Sequence, residues 1–238
     1  MPDTPRLATS FRDVEAWIFD LDNTLYPPET DLFSQIDVKI GAFLQRALNL
    51  DAVAARVVQK DYYRRYGTTL RGLMIEHGVA PEAFLDYVHD IDHTPVLPHP
   101  ELAAALTALP GRRYIMTNGS RRHAEAVSAR LGITGLFDDI FDIADAEHLP
   151  KPQAPAYDRF WRRHGIEPKR AAMFEDLPRN LLVPHEHGMR TVLVVPRAAA
   201  AALREEWEDE GRDAPHVDHV TDDIARFLDA VIRAIAPG

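Results

Sequence analysis

Two aspartates, Asp20 and Asp22, follow a short apolar run and are separated by a single leucine. On an extended segment, side chains two positions apart point to the same side, with Cα atoms roughly 6–7 Å apart. At that spacing one carboxylate can attack a substrate while the other handles a proton. The pair also gathers negative charge that a cation would offset. The alternatives are that Asp20 only caps the end of a strand and that Asp22 only supports the following turn.

Other reactive side chains follow later apolar runs at equivalent places in the pattern. Thr117 and Asn118 follow a second run, Lys151 lies between two prolines, and Glu175 and Asp176 follow a third run. In a parallel sheet these strand ends share one edge. Carboxylate oxygens there suit Mg²⁺, while hydroxyl and ammonium donors suit a phosphoryl group. As alternatives, the threonine and the acidic pair could cap the following helices, and the lysine could be a solvated charge.

The elements that would position these side chains alternate between strands and helices. Strands are predicted at 14–19, 113–117, 139–143, 171–174 and 191–195 from short apolar runs rich in β-branched and aromatic residues. Helices are predicted at 101–109, 121–131, 154–164, 177–187 and 221–235 from periodicity and glycine stops. This alternation predicts an α/β fold with a parallel sheet and right-handed crossovers.

A helical insert interrupts this alternation directly after the first strand. Its helices are predicted at 32–50, 51–66, 69–77 and 81–90. We therefore predict a core domain from residues 1–28 and 95–238 and a helical cap domain from residues 29–94. Residues 1–13 are expected to be a loose lead-in, and 197–212 a solvated helix or mobile segment.

Composition restricts the class of protein and its partners. The chain has 238 residues, 46% of them hydrophobic, and a formal net charge of −10. An acidic globular chain disfavours a nucleic-acid polymer as partner. It contains no cysteine, no signal-like segment and no apolar run long enough for a membrane. We therefore expect a cytoplasmic protein. Although there are 11 histidines, His185 and His187 point in different directions, and we predict no zinc site.

Taken together, the motifs resemble the haloacid dehalogenase superfamily of phosphohydrolases over the whole chain. The Asp-x-Asp-x-Thr motif is residues 20–24, the strand-end Thr is Thr117, the lysine is Lys151, and the acidic pair is Glu175-Asp176. The helical insert lies where this superfamily places its C1 cap. The resemblance therefore implies a Rossmann-like parallel sheet flanked by helices, with the cap after the first strand.

The resemblance also implies a mechanism of phosphoryl transfer. Asp20 would form an aspartyl-phosphate, and Asp22 would act as acid and then base, which requires a raised pKa. Mg²⁺ would be the cofactor, held by Asp20, the backbone carbonyl of Asp22 and Asp176, with Glu175 binding directly or through water. The phosphate group would contact Thr117, Asn118, Gly119 and Lys151. Supporting contacts around these residues would come from Asn180 and Thr24.

A closer resemblance, to pyrimidine 5′-nucleotidase-like members, rests on residues 20–27, 117–120 and 174–180. It implies a small-molecule phosphomonoester as partner, with a pyrimidine nucleoside monophosphate favoured, and a monomer or homodimer. A sugar-phosphate phosphatase, a phosphomutase and a non-catalytic phosphoryl-binding module remain alternatives, and a dehalogenase is disfavoured. The candidate residues for reading the leaving group are Tyr26, Tyr62, Tyr63, Tyr66, Thr69, Arg71, His89 and His93.

Overall fold

Parallel strands form the centre of the protein. The computed structural model describes residues 4–197 and 210–236, and six strands in these ranges pair in parallel. The strands are Ala16–Phe19 (β1), Arg112–Met116 (β2), Asp139–Phe141 (β3), Ala171–Glu175 (β4), Arg190–Val194 (β5) and His219–Thr221 (β6). Their spatial order is β3-β2-β1-β4-β5-β6, so β1 lies between β2 and β4. The predicted parallel α/β fold is confirmed, while β6 was not predicted.

Helices cover both faces of the sheet. In the described ranges they are Thr4–Phe11 (α1), Leu32–Leu48 (α2), Ala52–Tyr66 (α3), Thr69–His77 (α4), Pro81–Val88 (α5), Pro100–Ala108 (α6), Arg121–Leu131 (α7), Ala154–His164 (α8), Leu182–Glu186 (α9) and Ile224–Ile235 (α10). Trp17 and Phe19 of β1 pack with α1, α6, α7 and α10, whereas Ile18 packs with α8 on the opposite face. Burial on both faces explains why β1 is a continuous apolar run.

The helices α2 to α5 pack around a hydrophobic cluster of their own. Gly72 lets α4 approach α3, because a Cβ at this position would collide with the ring of Tyr62. The buried apolar side chains of the cluster are Ile36, Leu44, Ala55, Tyr62, Leu70, Leu73, Phe84, Val88 and Ile143. Since Ile143 follows β3, the cluster includes one residue from outside the helical insert. The division into a cap of residues 29–94 and a core of 1–28 and 95–238 stays a proposal.

The amino-terminal segment differs from its prediction. Residues 1–13 were expected to be a loose lead-in, but Thr4–Phe11 forms α1. Leu7 and Phe11 are 1% and 0% exposed, respectively. These two apolar residues are four positions apart, so they lie on the same face of the helix. That face can bury both side chains against the sheet. The lead-in prediction is wrong because Leu7 and Phe11 pack into the core cluster and dock this helix.

The segment after β4 also departs from the sequence prediction. Instead of one helix at 177–187, a 3₁₀ helix at Pro178–Leu181 precedes α9. Pro184 has no N–H to donate to the carbonyl of Asn180, and the Tyr157 hydroxyl donates to that carbonyl instead, at 2.7 Å. The prediction for 197–212 falls mostly on 198–209, outside the described residues. None of the helices in the described ranges is long and apolar enough to cross a membrane.

Candidate active site

The carboxyl ends of β1, β2 and β4 meet at one edge of the sheet. Phe19 pairs with Ile115 of β2 and with Phe174 of β4, so Asp20 follows β1 between the ends of both neighbours. The backbone N–H of Asp20 donates to the carbonyl of Phe174 at 2.9 Å. A cavity of about 450 Å³ opens at this edge. The predicted site residues that line it are Asp20, Asp22, Thr117, Asn118, Gly119, Lys151, Glu175, Asp176 and Asn180.

Lys151 joins the ends of three strands. Its Nζ donates to Asp20 Oδ1 at 2.6 Å, to Glu175 Oε1 at 2.7 Å and to the carbonyl of Met116 at 2.9 Å. The Asn118 side chain pairs with the lysine backbone, accepting from Lys151 N at 2.8 Å and donating to Lys151 O at 3.2 Å. Burial alone would lower the pKa of Lys151, but the charges of Asp20 and Glu175 outweigh it and raise that pKa. The ammonium group therefore stays charged.

The Asp20 carboxylate is held at both of its oxygens. Thr24 Oγ1 donates to Oδ2 at 3.0 Å, while Lys151 occupies Oδ1. Burial raises the pKa of Asp20 to about 7 against the attraction of Lys151, and the charges of Glu175 and Asp22 add to the rise. A cation beside this carboxylate would favour its ionised form. The orientation of Asp20 is compatible with its predicted role as nucleophile. The bond from Thr24 is compatible with the predicted supporting contact.

Three carboxylates could hold a metal ion. One oxygen from each of Asp20, Glu175 and Asp176 lies within 4.8 Å of the others. Glu175 is anchored by Asn180 Nδ2 at 2.7 Å and by the backbone N–H of Leu177 at 2.8 Å. Asn180 Oδ1 is buried and has no hydrogen-bond partner among the described residues. Hard oxygen donors and an unsatisfied amide oxygen are the surroundings that suit Mg²⁺, so these residues fit the predicted cofactor.

Asp22 differs from the sequence expectation in its protonation. Tyr26 OH donates to its Oδ1 at 2.6 Å, and His123 Nε2 contacts the same oxygen at 2.8 Å. Burial alone would raise the pKa of Asp22, but the charge and hydrogen bond of His123, followed by the Tyr26 bond, lower it to about 2. The expected rise in this pKa is therefore wrong. Two donors on one oxygen stabilise the ionised carboxylate.

The loop after β2 presents an accepting and donating hydroxyl to the cavity. Thr117 is 4% exposed, and its Oγ1 accepts from the backbone N–H of Gly119 at 2.9 Å. That bond uses one lone pair of the hydroxyl, whose own hydrogen can still donate to an anion. The N–H of Gly119 is engaged within the loop, so this residue shapes the site by leaving space. Thr117 thus remains a candidate hydrogen-bond donor to the phosphate group of a substrate.

Comparison with known proteins identifies the family. A sequence model of the haloacid dehalogenase-like hydrolases matches residues 14–188, which include every strand-end residue of the site. The chain belongs to this family. The resemblance drawn from the four motifs is therefore confirmed at the level of the family, whereas the pyrimidine nucleotidase-like assignment stays a proposal.

Individual relatives of this haloacid dehalogenase-like hydrolase are distant. Phosphate metabolism protein 8 of Saccharomyces cerevisiae is 24% identical, over 91% of this chain and 70% of the relative. The structure of L-2-haloacid dehalogenase from Xanthobacter autotrophicus aligns with a TM-score of 0.59 at 20% identity, covering 94% of this chain and 100% of that one. The HAD-hydrolase YfnB from Bacillus subtilis, bound to magnesium, aligns with a TM-score of 0.54 at 14% identity, covering 94% and 99%. These structural likenesses support the fold alone.

The residues predicted to read the leaving group take several different positions in this hydrolase. Tyr63, Thr69 and His89 line the cavity, and the guanidinium of Arg179 lies 4.2 Å from the centre of the Tyr63 ring. Others are engaged elsewhere: Tyr62 with His77, Tyr66 with Glu76, His93 with His123 and Tyr26 with Asp22. Arg71 is not among the described residues that line the cavity.

Sequence reasoning missed two groups of residues near this cavity. Arg56 and Gln59 of α3 line it and both donate to Asp37 of α2, at 2.7–2.8 Å. Their three-residue spacing on one helix was the available signal. His123 was also missed, although the first turn of a helix after a strand end points toward such a site. His89 and His93, which both contact His123, are four residues apart in the chain. This spacing was a further signal that the sequence prediction overlooked.

Proposed function

We propose that this hydrolase is a Mg²⁺-dependent phosphomonoesterase that acts through an aspartyl-phosphate on Asp20. The observation that carries the proposal is the arrangement of Asp20, which is fixed by Lys151 and Thr24 beside the carboxylates of Glu175 and Asp176. Such a site joins a positioned nucleophile to a place for a cation. The name of the yeast relative, a phosphate metabolism protein, supports phosphate chemistry.

The proposed reaction has two steps, and both take place at the phosphorus atom. An Asp20 oxygen forms a bond to phosphorus while the bond to the leaving oxygen breaks, and that oxygen takes up a proton. Water then attacks phosphorus, the bond to Asp20 breaks, and inorganic phosphate leaves with the carboxylate restored. Lys151 holds Asp20 in place, and the Thr117 hydroxyl donates to the phosphoryl oxygens.

The carboxylates near Asp20 are suitable ligands for Mg²⁺. Asp20, Asp176 and the backbone carbonyl of Asp22 would hold the ion, while Glu175 is already bonded to Lys151, Asn180 and Leu177. When bound, the ion would offset the repulsion between an anionic nucleophile and an anionic phosphate group. We propose that Glu175 acts mainly by positioning the lysine and the amide.

Asp22 supplies the acid–base function in this proposal. As an ionised carboxylate it can accept a proton from the attacking water in the second step. Its role as acid in the first step requires a proton to reach it once the substrate is bound. Asp22 is two residues from Asp20 and lines the same cavity, so the position suits both roles.

The cavity supports a substrate of nucleotide size. Its volume of about 450 Å³ is within the range of small-molecule sites, roughly 300–1,000 Å³. Besides the catalytic carboxylates, the residues that line it include Tyr63, Phe84 and Leu70. Aromatic and apolar side chains suit a base or sugar, and we favour a pyrimidine nucleoside 5′-monophosphate. A sugar phosphate would use the same phosphoryl chemistry, and in a mutase a second substrate hydroxyl would replace water.

The test measures phosphate release from nucleoside monophosphates and sugar phosphates, with Mg²⁺ or with EDTA. We expect release from UMP or CMP that requires Mg²⁺, is lost in Asp20→Asn and is retained in Asp86→Asn, a matched change at an exposed position. Release from sugar phosphates alone would retain the mechanism and refute the nucleotide assignment. Halide release from 2-chloropropionate without any phosphate release would overturn the proposal.

A further inference from the structure

Asp22 is held by two donors on a single oxygen. Tyr26 OH and His123 Nε2 approach Oδ1 at 2.6 Å and 2.8 Å, respectively. The side chain of His123 is 0% exposed, and Tyr26 is 1% exposed. Buried donors with few free rotamers fix the plane of the carboxylate they bind. The other oxygen of Asp22 is then the one available to exchange a proton in the cavity, which Asp22 lines.

The loop that carries Thr117 also places His123. Ser120 caps α7, and its Oγ accepts from the backbone N–H of His123 at 3.3 Å. A Cβ at position 119 would lie 3.4 Å from His123 Cδ2 and 3.3 Å from Thr117 Oγ1, so Gly119 leaves room for both side chains. One short segment therefore orients both Thr117, the candidate hydrogen-bond donor to phosphate, and His123, the partner of Asp22.

Two further histidines fix the ring of His123. His93 Nε2 lies 3.1 Å from His123 Nδ1, and the His89 ring stacks on His123 with centroids 4.7 Å apart at an interplanar angle of 11°. A carboxylate oxygen only accepts, so His123 Nε2 carries the hydrogen that faces Asp22, while Nδ1 faces His93. His89 Nδ1 is in turn 2.9 Å from Ser120 Oγ. The orientation of the ring is thus determined from three sides.

We propose that His123 and Tyr26 are positioning residues that aim Asp22 at the leaving oxygen of the substrate. This inference rests on the proposed phosphatase function. Neither side chain is placed to touch the substrate, since neither lines the cavity within the described residues. A buried histidine with only a structural role would slow all substrates alike. A positioning role predicts that the loss depends on how much the leaving group needs a proton.

The experiment compares two phosphomonoesters. A nucleoside 5′-monophosphate leaves as an alkoxide and needs a proton, whereas p-nitrophenyl phosphate leaves as a stable phenolate and does not. We expect His123→Leu to lower kcat/KM, which reports the step that releases the leaving group, by about 10²-fold or more on the nucleotide, the range of general acid–base catalysis, and by less than about 10-fold on p-nitrophenyl phosphate. His123→Gln keeps an N–H donor and should restore part of the lost activity.

Controls separate this effect from loss of structure. Tyr26→Phe removes only one hydroxyl and should show the same dependence on leaving group at smaller size, even if His123→Leu folds poorly. His185→Leu, in a half-exposed position away from the cavity, should act like wild type on both substrates. Equal losses of kcat/KM on both esters in Tyr26→Phe and His123→Gln, or no loss, would overturn the inference while phosphatase activity persists. Absence of phosphate release by wild type would overturn the proposed function and this inference with it.

Discussion

Lys151 shows how one buried charge organises the site. Its ammonium group has three donors, and the three acceptors around it belong to Asp20, Met116 and Glu175. These residues lie at the ends of three adjacent strands, so Lys151 sets their separation. A phosphoryl oxygen that approached Asp20 would have to share the Lys151 ammonium group, which already donates to Asp20. The lysine that the sequence assigned to phosphate binding is therefore first a partner of the nucleophile.

Replacing this lysine should destabilise the fold. We expect Lys151→Met to lower the free energy of unfolding by about 3–5 kcal/mol, because it leaves two buried carboxylates without their cation. Urea unfolding at pH 7 and low salt measures the change. The double variant Lys151→Met/Glu175→Gln should lose less than Lys151→Met alone, because it also removes one of the stranded charges.

Lys169 provides the matched control for this prediction. It is an exposed lysine, and its change to methionine should alter the free energy of unfolding by less than about 0.5 kcal/mol. If Lys151→Met unfolded at the same urea concentration as Lys169→Met, the lysine would not offset the charge of the buried carboxylates. Their repulsion would then have to be relieved by protonation or by water.

At the scale of elements, helix α1 is the clearest addition to the sequence prediction. The Phe11 ring stacks on Trp17 at 5.8 Å between centroids and meets Phe227 edge-on at 5.9 Å. We expect Phe11→Ala to reduce the free energy of unfolding by about 3–5 kcal/mol, as for other buried phenylalanines. Phe33→Ala, at a residue 40% exposed, is the control and should change it much less. A loss below about 1 kcal/mol at Phe11 would mean that α1 contributes little to the core.

Strong local signals made most of the sheet and its reactive edge predictable. The strand ending at Phe19 is apolar on both faces, and its neighbours in the sheet end at the predicted threonine and acidic pair. Helix α1 and strand β6 were missed because each is short and gains its stability from tertiary contacts. The contact of Asp22 with His123 joins residues 101 positions apart in the chain, so the local sequence around Asp22 could not show it. The lowered pKa of Asp22 depends on that distant contact, so the rise expected from the implied mechanism was in the wrong direction.

At the scale of the whole molecule, buried histidines should make stability depend on pH. Burial and then the charge of Arg6 lower the pKa of His219 to about 4 from an ordinary value of 6.5. Between these values the unfolded chain binds a proton that the folded chain does not, so stability falls as pH decreases from about 6.5 toward 4. Above about 6.5 this contribution to the pH dependence vanishes.

The prediction for His219 is tested by unfolding across this pH range. As pH decreases from 7 to 5, we expect wild type to lose more free energy of unfolding than His219→Gln loses. Some slope should remain, because burial and the charge of His123 lower the pKa of His89 to about 3. Parallel curves for the two proteins would show that His219 takes up its proton equally well in the folded chain.

The acidic residues at the sheet edge should couple metal binding to the stability of the whole molecule. Carboxylate oxygens of Asp20, Glu175 and Asp176 within 4.8 Å repel one another, and unfolding separates them. A cation bound only by the folded chain raises the free energy of unfolding by about 2.7 kcal/mol at 100 times its Kd. We expect Mg²⁺ to raise the unfolding midpoint and EDTA to reverse the rise. Asp176→Asn should abolish this shift, whereas Asp86→Asn should keep it. An equal Mg²⁺ shift in both variants would place the ion elsewhere on the protein.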